Sequence, residues 1–233
     1  MRPLKESKVR KEAVLFLLFL LLPGKSMFAQ DYRLGVFLNP LISWFNTDIV
    51  EVRNEGSRAG INLNLTVEKY LSDRFSVVGG MSLSGTGGRT VSRNPVMFRF
   101  PGYTSVIAAN NPVIYKIRYL SIPVGIKFKT YEMGLFSYWG EFGFDPKIVV
   151  RGRVDIPSID IDGQKAMSEI KRFNIGYHLH GGIDYSIDGS TSLVVGLGFE
   201  SNMFDITKDI GDQETDRTSH KFLKFVFGVN FEL

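Results

Sequence analysis

The sequence predicts an all-β fold, an eight-stranded antiparallel up-and-down β-barrel that crosses a membrane and is preceded by a signal peptide. Three observations predict it. Apolar and polar residues alternate with a period of two in eight stretches. The connections between those stretches are alternately short and long. No run after residue 29 is apolar for long enough to form a membrane helix.

The first 29 residues read as an address rather than as part of the fold. A basic stretch, Met1–Glu12, precedes an unbroken apolar run, Ala13–Leu22. Pro23-Gly24 ends that run, and Met27-Phe28-Ala29 precedes Gln30, in the order of a secretory signal peptide. The expected division is therefore a signal peptide over 1–29 and a barrel over 30–233. The chain of 233 residues has 28 Lys+Arg against 24 Asp+Glu. The basic excess lies wholly within residues 1–29, and the rest is balanced, so overall charge offers nothing to a nucleic acid. The absence of cysteine excludes a disulfide scaffold, cysteine-ligated zinc and thiol catalysis.

The strands are expected over about 32–45, 61–68, 74–84, 120–128, 135–150, 174–185, 193–200 and 223–233. The first places Arg33 on the polar side. In the second, Ile61, Leu63, Leu65 and Val67 share one face, and Asn62, Asn64, Thr66 and Glu68 share the other. The fourth sets Leu120, Ile122, Val124, Ile126 and Phe128 against Ser121, Gly125 and Lys127. The sixth sets Ile175, Tyr177, Leu179, Ile183 and Tyr185 against Asn174, His178, His180 and Asp184. In the seventh, Leu193, Val195, Leu197 and Phe199 oppose Gly196, Gly198 and Glu200; in the eighth, Leu223, Phe225, Phe227, Val229 and Phe231 oppose Lys224, Gly228, Asn230 and Glu232. The third and fifth alternate less cleanly; the fifth contributes Glu141.

Short turns are expected at Leu71–Arg74, Thr130–Gly134 and Ile187–Ser190, the last holding the Asp-Gly turn signal. Long connections are expected over 46–57, 85–113, 152–171 and 204–219. Outer-membrane barrels have this asymmetry, with the short turns in the periplasm. A soluble sandwich would also alternate. Lipid is favoured because the apolar face runs through every clear strand, and Tyr70, Phe75, Phe128, Tyr131, Phe136, Tyr138 and Tyr185 cluster by the short turns as an interfacial girdle.

The stretch Tyr115–Lys129, with its core Arg-Tyr-Leu-Ser-Ile-Pro-Val-Gly-Ile-Lys-Phe-Lys, resembles the Tyr-Leu-x-Ile-Pro-x-x-x-Lys strand of PorT-like outer-membrane barrels of Bacteroidota. The hairpin Asn174–Glu200 and the ending Phe-Gly-Val-Asn-Phe-Glu-Leu are similar too. The resemblance implies an eight-stranded outer-membrane barrel. It also implies the alternative of an accessory to a secretion machine of the type IX kind.

Eight strands leave an interior that side chains fill, so a diffusion pore is not expected. Parity turns Arg33, Glu68, Lys127, Glu141, His178, His180, Asp184, Glu200, Lys224 and Glu232 inward. Charges of both signs in a narrow lumen read as a salt-bridged plug. His178 and His180, two apart on a strand, share a face. With Asp184 or Glu200 they have the residue types of a metal site, and with a hydroxyl those of acyl hydrolysis. Hydrogen bonding within the lumen is the expected role, with no cofactor, no metal and no catalysis. Asp160–Gly163 reads as an exposed turn, and Gly85–Arg89 as the start of a loop.

The working surface is expected on the long loops. Residues 85–113 carry Arg89, Arg93 and Arg99 and no acid, and are expected to expose Phe98, Phe100 and Tyr103. Residues 205–219 are acidic and are expected either to pack on that loop or to bind a partner. The expected partners are outer-membrane lipid or lipopolysaccharide and an envelope or secretion-machine protein, with no nucleic acid. The expected function is a non-enzymatic outer-membrane barrel with contact loops; a narrow channel is the alternative.

Overall fold

A computed structural model describes residues 32–47, 51–100, 102–206 and 218–233. The expected signal peptide lies outside the described residues. The strands are β1 (Tyr32–Thr47), β2 (Val52–Tyr70), β3 (Phe75–Ser92), β4 (Val96–Phe100), β5 (Tyr103–Ile107), β6 (Pro112–Ser121), β7 (Val124–Lys129), β8 (Phe136–Ile156), β9 (Ile161–Lys165), β10 (Phe173–Ser186), β11 (Thr191–Asn202) and β12 (Thr218–Glu232).

Their pairing closes on itself. β1 pairs with β2 and β2 with β3. β3 pairs with β6 and β7, which lie end to end and both pair with β8. β8 pairs with β10, β10 with β11 and β11 with β12. β12 returns to β1, from Arg33 opposite Glu232 to Thr47 opposite Thr218. Every pairing is antiparallel. Counting β6 and β7 as one line, this is a barrel of eight strands. The line breaks at Ile122-Pro123, and the break is bridged: Ile122 N–H donates to Pro146 C=O, and Pro123 C=O accepts from Gly80 N–H. Pro123 has no N–H to give a neighbouring strand.

The alternation decides which way each side chain points. In β2, Leu63 and Leu65 are 52% and 58% exposed on the outer wall, while Asn62 is buried. Leu34, Val36, Leu38, Ile126, Phe142, Leu179, Val195, Phe225 and Phe227 continue that apolar wall around the ring. The expected turns are found: β2–β3 connects over 71–74, β10–β11 over 187–190, and β7–β8 over 130–135. Phe75, Phe128, Tyr131, Phe136 and Tyr138 stand exposed at that end. Phe75 lies on Phe128 with centroids 5.3 Å apart, and Phe136 on Tyr185 at 4.9 Å.

The strands are longer than the alternation indicates. β2 begins at Val52, β3 runs to Ser92 and β8 to Ile156. Gly85–Arg89, expected to open a loop, is thus part of β3, paired to both β2 and β6. The long-loop end carries further structure. β4 and β5 form a separate hairpin, and β9 folds back on β8. β8 loses its strict alternation at a bulge opposite Arg118 and Tyr119. Val150 and Arg151 both face outward there, and the inward positions change from odd to even numbers.

Two outcomes follow from this placement. Leu63→Arg puts a cation on the lipid face and should cost roughly 2–4 kcal/mol, whereas Leu63→Ala should be mild; urea titration of the protein folded in lipid, read by heat-modifiable gel mobility, measures both. In the 187–190 turn, Asp188 accepts N–H bonds from Ser190 (2.9 Å) and Thr191 (2.6 Å), which hold its carboxyl below its usual range. A depressed folded pKa means the carboxylate's contribution is present above the unfolded pKa and is lost as pH falls through the folded one. Asp188→Asn should therefore lower stability at neutral pH and flatten the acid limb, the two profiles converging at low pH.

Candidate functional site

The lumen is built from the inward positions of all eight lines, and its charges meet in linked clusters. At the short-turn end Arg33 binds Asp184 at 2.6 Å and Glu232 at 2.7 Å, with Lys129 3.8 Å from Asp184. Next, Lys127 binds Glu68 at 2.9 Å, and Ser76 Oγ donates to the same carboxylate at 2.6 Å. Lys127 Nζ also lies 5.2 Å from the centroid of the buried Trp139 ring. Further in, Lys147 and Lys224 share the single carboxylate of Glu200, and Lys147 packs over Tyr119 and Phe222. A neutral ladder holds the wall between: Asn39 donates to Asn62, which donates to Ser82 and Ser84.

The two histidines of β10 sit among these clusters, with rings stacked at 4.6 Å and 15°. His178 Nδ1 is 2.9 Å from Asp145, and its Nε2 is 3.2 Å from Glu141. His180 Nε2 is buried without a hydrogen-bond partner. Asp184 and Glu200, the acids expected beside them, are instead taken by Arg33 and by the two lysines. No serine or threonine hydroxyl among the described residues bonds to an imidazole, so the constellation for acyl hydrolysis is not assembled. The third histidine, His220, is fully buried between Tyr119 Oη (3.3 Å) and Gly87 C=O (3.2 Å).

All nine inward candidates (Arg33, Glu68, Lys127, Glu141, His178, His180, Asp184, Glu200 and Lys224) line the interior, while Glu232 stands half-exposed at the rim. Asp145, Lys147 and His220 were not expected. The first two continue the odd-numbered inward run of Ser137, Trp139 and Glu141, and that continuity was the available signal. The lumen is also not wholly polar. Phe37, Trp139, Val194 and Val226 form one apolar patch within it.

A larger apolar cluster closes the long-loop end. Phe98, Phe100 and Ile107 of the β4–β5 hairpin pack with Phe45, Val154, Ile156, Ile170 and Phe222. This corrects the expected exposed loop: Phe98 and Phe100 are buried, because their hairpin folds inward and removes both rings from water. Arg99 is held by Glu169 at 3.0 Å, which ties the basic loop to the 157–172 connection, and Ile206 of the acidic stretch joins the same apolar cluster as Phe98 and Phe100. Tyr103 remains exposed, stacked on Phe100 at 4.9 Å with its hydroxyl donating to Gln164. Arg89 and Arg93 are exposed. Of the turn expected over Asp160–Gly163, Asp160 is exposed with φ 54°, while Ile161–Gly163 belong to β9, which folds back on β8. Of the acidic stretch 205–219, residues 207–217 lie outside the described residues, and Asp205 binds Lys171 at 3.0 Å.

A family model, the outer membrane protein beta-barrel domain, matches residues 28–208. The chain belongs to this family. Its place is accordingly the outer membrane of a Gram-negative envelope. No curated protein matches the chain. Among solved structures, Neisserial surface protein A is 10% identical, with a TM-score of 0.50, covering 87% of this chain and 97% of that one. That likeness shows the fold. Ail of Yersinia pestis, in complex with the heparin analogue sucrose octasulfate, is 14% identical with a TM-score of 0.43, covering 86% and 99%. OprG of Pseudomonas aeruginosa is 13% identical with a TM-score of 0.43, covering 88% and 97%.

Glu200 tests the lumen's electrostatics. Glu200→Gln leaves Lys147 and Lys224 buried without their counter-charge and should destabilise by about 3–5 kcal/mol. Urea unfolding in detergent, followed by tryptophan fluorescence, measures it.

Proposed function

We propose that this chain is a PorT-like, sealed and non-enzymatic outer-membrane barrel whose long-loop end faces outward and binds an envelope component. The observation that carries the reading is the filled lumen: paired charges occupy one part, and the inward-folded β4–β5 hairpin stops the long-loop end with apolar side chains. A barrel closed in this way offers no continuous water path from end to end, and the surface it presents to large partners is the outer wall and crown.

The nearest envelope component is lipid. Arg118 of β6 and Arg151 of β8 stand directly opposite each other, both outward, just beyond the last apolar outer-wall residue, Val150. Neither has an ion-pair partner among the described residues. Like charges directly opposite across a sheet are destabilising by up to about 1 kcal/mol unless an anion lies between them. Two guanidinium forks at that height suit the phosphate groups of lipopolysaccharide.

In planar bilayers the purified protein should give no steady single-channel steps; regular steps would favour the channel reading. Lipopolysaccharide should raise the unfolding temperature in detergent at low salt, and Arg118→Gln with Arg151→Gln should remove most of that rise. Cysteines at Asn94 and Gly189 test orientation: an impermeant thiol reagent on whole cells should label the first and spare the second. Capture of a secretion-machine protein from native outer membrane would favour the accessory reading.

A further inference from the structure

We propose that Glu141, His178 and His180 bind a first-row divalent transition-metal ion inside the barrel, with Asp145 as the positioning residue behind His178. The site goes beyond the sealed-barrel reading and does not depend on which component the crown binds.

The placement comes from register. Glu141 on β8 lies directly opposite His180 on β10, and His178 lies two residues along the same face. One donor atom from each of the three residues falls within 4.8 Å of the others. Metal–ligand bonds of about 2.0–2.2 Å put neighbouring donors a little over 3 Å apart, so small side-chain rotations close the set. The two imidazoles stack at 4.6 Å and 15°, and a nitrogen of each lies within 4.8 Å of the other and of a Glu141 oxygen.

The protonation pattern suits ligation. Asp145 engages His178 Nδ1 at 2.9 Å, which fixes the ring and turns Nε2 toward Glu141. A carboxylate behind a ligating histidine is the usual arrangement for orienting the ring and raising its basicity. His178 Nε2 is 3.2 Å from Glu141 yet lacks the alignment of a hydrogen bond, and His180 Nε2 is buried with no partner either. A buried, unpaired ring nitrogen is costly unless something accepts its lone pair.

Room for the rings is made by glycines. A Cβ on Gly143 would stand 2.7 Å from His178 Cε1, and one on Gly198 would stand 2.9 Å from His180 Nε2. Neither ring could occupy its place over a larger residue.

Charge leaves a place for a cation. Glu68, Glu141, Asp145 and Glu200 face Lys127, Lys147 and Lys224, and those lysines are held by Glu68 and Glu200. One negative charge remains for what the two imidazoles carry, a proton or a metal ion. Two nitrogens with one carboxylate select zinc-class ions over magnesium or calcium, which take oxygen donors. Three protein ligands leave a coordination position for water.

The probe is Zn2+ alone, titrated calorimetrically into the full-length mature protein folded in detergent, with any affinity tag removed. The chain has three histidines, and His220 is enclosed by Tyr119 and Gly87, so a histidine-dependent signal reports this site. One Zn2+ per chain should bind, Co2+ should give a tetrahedral visible spectrum, and the ring resonances of His178 and His180 should shift. Glu141→Gln and His180→Gln should abolish binding while the folded gel band persists. Asp145→Asn should keep the stoichiometry and weaken affinity 10–100-fold. No saturable binding, unmoved histidine resonances, or binding retained in both folded ligand variants would overturn the proposal, the first two assigning the remaining charge to a proton. If His180→Gln fails to fold, Glu141→Gln together with the wild-type Co2+ spectrum decides.

Discussion

Everything in this structure depends on the hydrogen bonds that return β12 to β1. In hydrocarbon an unpaired backbone N–H or C=O costs several kcal/mol, so a sheet can stand there only if it has no edge. Closure from Arg33–Glu232 to Thr47–Thr218 removes the last edge. Once the ring is closed, each strand has one lipid face and one lumen face, and the period-two pattern follows. Where the backbone must interrupt the ladder, other groups take over. At Ile122-Pro123 neighbouring strands supply the bonds, and at the β8 bulge one extra residue is turned outward.

Closure has a second consequence, because a narrow ring has little room for water. Buried ionised groups must then find one another. Arg33 with Asp184 and Lys127 with Glu68 do so pair by pair, while two lysines share Glu200 and two carboxylates flank His178. The uneven clusters adjoin, so a surplus of positive charge lies near a surplus of negative charge. The same shortage of water explains why Phe98 and Phe100 leave the surface. An apolar stop at the loop end removes aromatic area from solvent and shields the ion pairs beneath it.

The sequence by itself determined the wall. Period-two alternation is a local property, and it assigned Leu63 to lipid and Asn62 to the lumen before any neighbour was known. The tight turns were equally local: Leu71–Arg74 and Ile187–Ser190 fall where their residues indicate. Parity also turned nine of the lumen side chains inward. It stopped short at Asp145 and Lys147, where Pro146 interrupts the pattern, and at His220, beyond the last clear stretch.

Only the tertiary structure decided the partners, because partners are set by register between strands far apart in sequence. Nothing local says that Asp184 meets Arg33, 151 residues away, while Glu141 meets His178 and His180. The hairpin shows the same limit from the other side. Arg and aromatic residues in a loop read as a contact surface, yet Phe98 and Phe100 join a buried apolar cluster at the barrel mouth that no loop composition reveals. Alternation fixes the face of a side chain because the pleat is a property of one strand; what that side chain touches depends on shear, closure and loop packing, which belong to the whole ring.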